Sequence, residues 1–126
     1  MRDLPSGPQL ESLARELEGK GIDGLPPKER AAAAAMIERC RTIARREAAA
    51  GEAALAPIRA ALASLYSGDP SGHLAQLAAE IRSSALDAPG ERRDRALALL
   101  RALTLQKLRE SNRRFLTAHG YDPEAR

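Results

Sequence analysis

Glu47, Arg82 and Lys107 are the side chains whose placement most suggests a polar site. At about 100° per residue, Met36, Cys40, Ile43, Ala44 and Glu47 share one narrow arc of a helix. A carboxylate on that apolar arc is costly unless it is paired. Three readings stay open. Glu47 is held in a structural ion pair, or it lies one turn past the end of the stripe, or it is a buried acid with a raised pKa that serves a ligand or a reaction. Arg82 flanks the apolar stripe of a later helix and Lys107 that of the last one, so both are natural partners. Arg46 is adjacent in sequence but points about 100° away.

The remaining reactive side chains read more plainly. Cys40 is the only cysteine. It excludes an intramolecular disulfide and a cysteine-based zinc site, and its place on the apolar arc makes it an inert core thiol. His73 opens a helix and is expected in solvent. His119 lies near a helix end, where a cation is mildly stabilising. Arg109, Arg113 and Arg114 read as a solvated helix face, with an anion-docking patch as the alternative. The chain has no glycine-rich phosphate loop, no HExxH, no ExxH metal pair and no GxSxG. A candidate acid with no visible nucleophile or metal ligand beside it does not make an enzyme. The expectation is a non-enzymatic protein with no cofactor and no metal.

These residues must be positioned by helices. The 126 residues include 26 Ala, 18 Leu and 17 Arg, but only three Lys and no Val. Eight residues are β-branched and aromatics make up 2%. Strands need β-branched and aromatic side chains, whereas Ala, Leu, Arg and Glu lose little on entering a helix. Breakers divide the chain into helical segments at 8–20, 27–50, 53–66, 71–85 and 91–118. Pro8 suits a first helical turn and Gly51 a stop. Pro57 is tolerated only in a first turn, which fixes where the third segment begins. The expected apolar stripes are Leu10, Leu13 and Leu17; then Leu55, Ile58, Leu62 and Leu65; then Leu74, Leu77, Ala78 and Ile81. The last helix aligns Leu97, Leu100, Thr104, Leu108 and Phe115.

The predicted fold is all-α, a five-helix up-and-down bundle in a single domain over 8–119. A disordered segment at 1–7 precedes it and a frayed tail at 120–126 follows. Its core of Leu and Ala is thin, which leaves a homodimer interface to complete it.

Net charge is +3, from 20 cations against 17 anions. The signs are interspersed, and no unbalanced cationic run exceeds two residues. That argues against a dedicated nucleic-acid binder, which needs a basic stripe, and the scarcity of aromatics argues against a base-stacking platform. The longest apolar run, over 31–37, is far short of the ~20 residues that span a bilayer. No signal-peptide pattern opens the chain. A cytoplasmic bacterial protein is expected.

Two stretches carry a family resemblance. One is Ala35-Met36-Ile37-Glu38-Arg39-Cys40-Arg41-Thr42-Ile43-Ala44-Arg45-Arg46-Glu47. The other runs from Leu77 through Ile81-Arg82-Ser83-Ser84 and Asp87 to Lys107-Leu108-Arg109-Glu110-Ser111-Asn112-Arg113-Arg114-Phe115-Leu116. Together they resemble a small all-helical bacterial family of unknown function. Its members are encoded beside acyl-CoA dehydrogenases and aminoglycoside-phosphotransferase-like kinases, or fused to the latter. The family pattern keeps an Arg-Glu pair (Arg46-Glu47), an Ile-Arg pair followed by Asp (Ile81-Arg82 and Asp87), and Lys-Leu followed by Asn and Phe-Leu (Lys107-Leu108, Asn112, Phe115-Leu116). This chain departs from it at Arg39, where the pattern has Asn, at Ser84, where it has Gly, and at Arg113, where it has Pro.

The resemblance implies an accessory or interaction module linked to acyl-CoA metabolism or to a phosphotransferase-like kinase. It adds Asp87 and Asn112 to the polar positions of interest. The alternative is a binding domain for a small anionic ligand such as a CoA thioester, held by Arg82, Lys107, Arg46 and Arg39. A nucleic-acid-binding regulator is the weakest of the three.

Overall fold

The computed structural model describes residues 4–124. Among them there are six α-helices and no strand: α1 (Gly7–Lys20), α2 (Pro27–Ala50), α3 (Ala56–Leu65), α4 (His73–Arg82), α5 (Glu91–Ser111) and α6 (Arg113–Ala118). Short 3₁₀ turns at Ala53–Leu55 and Pro70–Gly72 lead into α3 and α4. Every breaker read from the sequence ends or starts a helix. Gly51 closes α2 at a φ of 61°, and Pro57 sits in the first turn of α3.

Two differences concern helix ends. The fifth predicted segment is two helices, because Asn112 leaves helical geometry at φ −148° and ψ 65°. Its N–H closes α5 on the Leu108 carbonyl, while its Oδ1 accepts from the Phe115 N–H and starts α6. Asparagine is a preferred N-cap for this reason. Helix α4 stops at Arg82, short of 85. There Ala85 N–H returns to Glu80 O and Ser84 N–H to Ile81 O, with Ser84 at a φ of 61°. This is the left-handed helix ending that glycine usually supplies.

Residues 1–3 and 125–126 lie outside the described residues. Gly7, expected in a disordered segment, is buried and already helical. At the other end Tyr121 N–H donates to Leu116 O at 2.9 Å, so the chain past α6 is tied back.

The described residues fall into two compact units, one up to Gly51 and the other from Glu52 onward, where one bundle is expected from sequence. The first is an α1–α2 hairpin. Its core is small: Ala14, Ile37 and Cys40, flanked by Leu10, Leu17 and Ile22. Arg41 of α2 forks onto the Glu18 carboxylate of α1 at 2.5 and 2.7 Å, with Glu11 3.7 Å away.

The second unit packs α3 against α5 and α4, with α6 against the end of α5. Leu55, Ile58, Leu62, Leu77, Ala96, Leu99 and Leu103 form its core. The α3 stripe is as expected. The α5 face is not: the core takes Ala96, Leu99 and Leu103, while Leu97 is 52% exposed and Thr104 is exposed. Helix α5 carries two apolar stripes about 100° apart, and the one opposite α3 is buried. The α2 arc likewise centres on Ile37 and Cys40, leaving Met36 53% exposed.

Candidate functional site

Arg39, Arg46 and Glu47 belong to the hairpin unit; Arg82, Asp87, Lys107 and Asn112 belong to the second. Glu47 is half-buried and faces α1. Its Oε2 lies 3.2 Å from where a Cβ on Gly7 would stand, and its Cδ 3.3 Å. Helix α1 has no acidic residue in its first turn, and Glu47 brings a negative charge from α2 to that end. The unpaired N–H groups and the dipole there favour an anion. Arg39 is exposed and Arg46 half-buried.

In the second unit Arg82 is exposed at the C-terminal end of α4, where a cation suits the helix dipole. Asp87 is exposed; its backbone carbonyl accepts from Arg93 Nη1 at 3.3 Å. Lys107 is half-buried on α5, and Asn112 acts as the cap described above. Cys40 is a buried free thiol, as expected. Of the arginines read as a solvated face, Arg113 donates to the Arg109 carbonyl at 3.0 Å and pairs with Glu124, Arg109 is half-buried and Arg114 is exposed.

Two arrangements in the second unit escape a reading of sequence spacing. The first joins three elements. Tyr66 donates its hydroxyl to Glu80 Oε2 at 2.7 Å, and Arg92 Nη2 donates to Glu80 Oε1 at 2.8 Å. The Arg92 guanidinium lies 5.2 Å from the Tyr66 ring centroid, within cation–π range. The Tyr66 hydrogen bond, then Arg92, hold the Glu80 carboxyl below the usual carboxylate range. Burial, then the Glu80 carboxylate, push the Tyr66 hydroxyl up to about 12. A phenol that keeps its proton so firmly is a donor at neutral pH, not a base. Arg92 and Arg95 also donate to the Leu65 and Ser64 carbonyls at the end of α3, both at 3.2 Å. The cluster therefore latches α3, α4 and α5 together.

The second is a concavity of about 280 Å³ between α3 and α4, lined by Arg59, Leu62, Pro70, Ser71, His73 and Leu74. His73 was expected in solvent and is 3% exposed. The turn at Pro70–Gly72, started by Asp69 accepting from Ser71 N–H at 2.9 Å, carries the first residue of α4 into the interior. The His73 ring lies 6.1 Å from that of Tyr66, and its Nε2 has no hydrogen-bond partner among the described residues.

A third feature is apolar. Between α3 and α5 runs a groove of about 290 Å³, floored by Ile58, Ala61, Leu65, Leu99 and the exposed Ala98 and Ala102, with Ser64 and Arg95 at its rim. Among the described residues no three His, Cys, Asp or Glu side chains are grouped to hold a metal ion, and no helix is long and apolar enough to cross a membrane.

The chain matches no protein-family model, no curated protein and no solved structure.

Proposed function

We propose that this chain is a non-enzymatic interaction module that docks an amphipathic helix of a partner protein in the α3–α5 groove. The observation that supports the reading is the groove itself. Alanines at 61, 98 and 102 leave the backbones of α3 and α5 open to close approach, as helix-in-groove recognition requires. Leu and Ile side chains form its floor, and Arg95, already held by Ser64 and Glu91, offers a charge at the rim. Such an interface has an apolar centre and a polar edge.

The family resemblance suggests the partner: an acyl-CoA dehydrogenase or a phosphotransferase-like kinase of the same cytoplasm. A second copy of the chain, giving a homodimer, is the competing occupant. The hairpin's small core and its exposed Leu13 and Met36 agree with a chain that works inside an assembly. Isothermal titration of the purified chain against each enzyme from its source organism tests the reading. Sedimentation velocity over a range of concentrations tests the homodimer. Binding to one enzyme by a chain without turnover of its own is expected. Turnover by the isolated chain, or no association with either enzyme or with itself, overturns it.

The reading as a CoA-thioester domain has less support. Neither concavity described above is lined by Arg39, Arg46, Arg82 or Lys107.

A further inference from the structure

We propose that the α3–α4 concavity is a binding site for a small oxyanion, a carboxylate or a phosphate, held by Arg59, Ser71 and His73. The inference does not depend on the α3–α5 groove. It starts from His73, a residue almost wholly removed from water whose Nε2 is paired with nothing among the described residues. Buried polar atoms are nearly always hydrogen-bonded, so an orphan in the wall of a concavity points to a ligand.

Arg59 supplies the charge. Its guanidinium pairs with Glu52 across the surface, with the two side chains 52% and 65% exposed. A pair so open to solvent is weak and is readily exchanged for a ligand. A guanidinium also matches the geometry of carboxylate and phosphate oxygens better than an ammonium does. Ser71, exposed and in the lining, offers a hydroxyl donor, while Leu62, Pro70 and Leu74 form the apolar remainder. The volume of about 280 Å³ is at the small end for a ligand site, which suits a short-chain acid or inorganic phosphate.

Asp69 opposes the ligand. Its carboxylate caps Ser71 N–H beside the site, and its charge interacts with His73. Glu52 competes for Arg59. Affinity in the millimolar range is therefore expected, and removing the Asp69 charge should tighten it.

The test is nuclear magnetic resonance of the two imidazoles in the ¹⁵N-labelled chain, titrated separately with sodium butyrate and with inorganic phosphate at constant ionic strength. His119, stacked on Phe115 4.0 Å away, serves as the internal control. Saturable movement of the His73 signals with either anion, and none of His119, is expected. Arg59→Gln should weaken binding about tenfold, and Asp69→Asn should strengthen it severalfold. The anion that saturates identifies the source of the oxygens. No saturation with either, parallel movement of His119, or an Arg59→Gln response equal to that of the parent overturns the proposal and leaves His73 satisfied by water.

Discussion

The Glu47 carboxylate occupies the space that a side chain at residue 7 would fill: its Oε2 is 3.2 Å from the Cβ position of Gly7, and Ala44 Cα is 3.5 Å from it. A Cβ at residue 7 would press on the Glu47 carboxylate and reach ordinary contact with the α2 backbone, and a larger side chain would have no room between the two helices. Gly7→Leu should therefore destabilise the chain by about 1–3 kcal/mol through overpacking, read from urea unfolding. Adding Glu47→Ala should recover part of that loss. A coupling of at least about 0.5 kcal/mol is expected for residues in contact; strictly additive effects would show that the two do not touch.

The Tyr66–Glu80–Arg92 latch predicts a two-sided pH dependence. The folded-state pKa of Tyr66, about 12, lies above its ordinary value of 10.0. Its contribution is then complete below pH 10 and is lost as pH rises from 10 to about 12. Glu80 is shifted downward, so its contribution is present above the usual carboxylate range and lost as pH falls through and below it. Ultraviolet titration should find one tyrosine ionising near pH 12. Tyr66→Phe should remove that step, flatten the alkaline loss and cost about 0.5–1.5 kcal/mol at neutral pH.

Ser84 adopts the left-handed φ of 61°, a conformation that favours glycine. An L-residue there costs roughly 1–2 kcal/mol, partly offset by the greater freedom of glycine in the unfolded chain. Ser84→Gly should raise stability by about 0.5–1 kcal/mol, seen as a melting temperature a few degrees higher. An unchanged or lower melting temperature would show that the serine is unstrained.

A forked contact between Arg41 and Glu18 ties α2 to α1 beside the apolar core of the hairpin. A lysine keeps the charge but not the fork. Arg41→Lys should thus lose most of what Arg41→Ala loses in melting temperature, and molar salt should shrink both losses. Full retention by lysine would mean that charge alone matters.

Much of this was legible in the sequence. Prolines 8 and 57 and Gly51 mark helix ends because their backbone limits are local, and they stand where they were expected. The inward face of Glu47 also follows from helical spacing. Burial choices were less legible. Helix α5 has apolar residues on two adjacent stripes, and only the position of α3 selects Ala96, Leu99 and Leu103. Asn112 carried a readable cap signal that the surrounding helical periodicity overrode. His73 looked solvated because it opens a helix; the fold of the preceding turn, a tertiary matter, buries it. Tyr66, Glu80 and Arg92 lie 14 and 12 residues apart, so no short-range spacing announces their contact.

The central claim is that the α3–α5 groove receives a partner's helix. Ala98 and Ala102 are exposed and line that groove, so a charge placed there should spare the fold. The most direct measurement is the Kd of the proposed partner, the acyl-CoA dehydrogenase or the phosphotransferase-like kinase, for Ala98→Glu and Ala102→Glu beside the parent chain, with melting temperature as the check on folding. Binding weakened about a hundredfold or more, as for a charge driven into an interface centre, with an unchanged melting temperature, is predicted. Parent-like affinity in both variants would contradict the account.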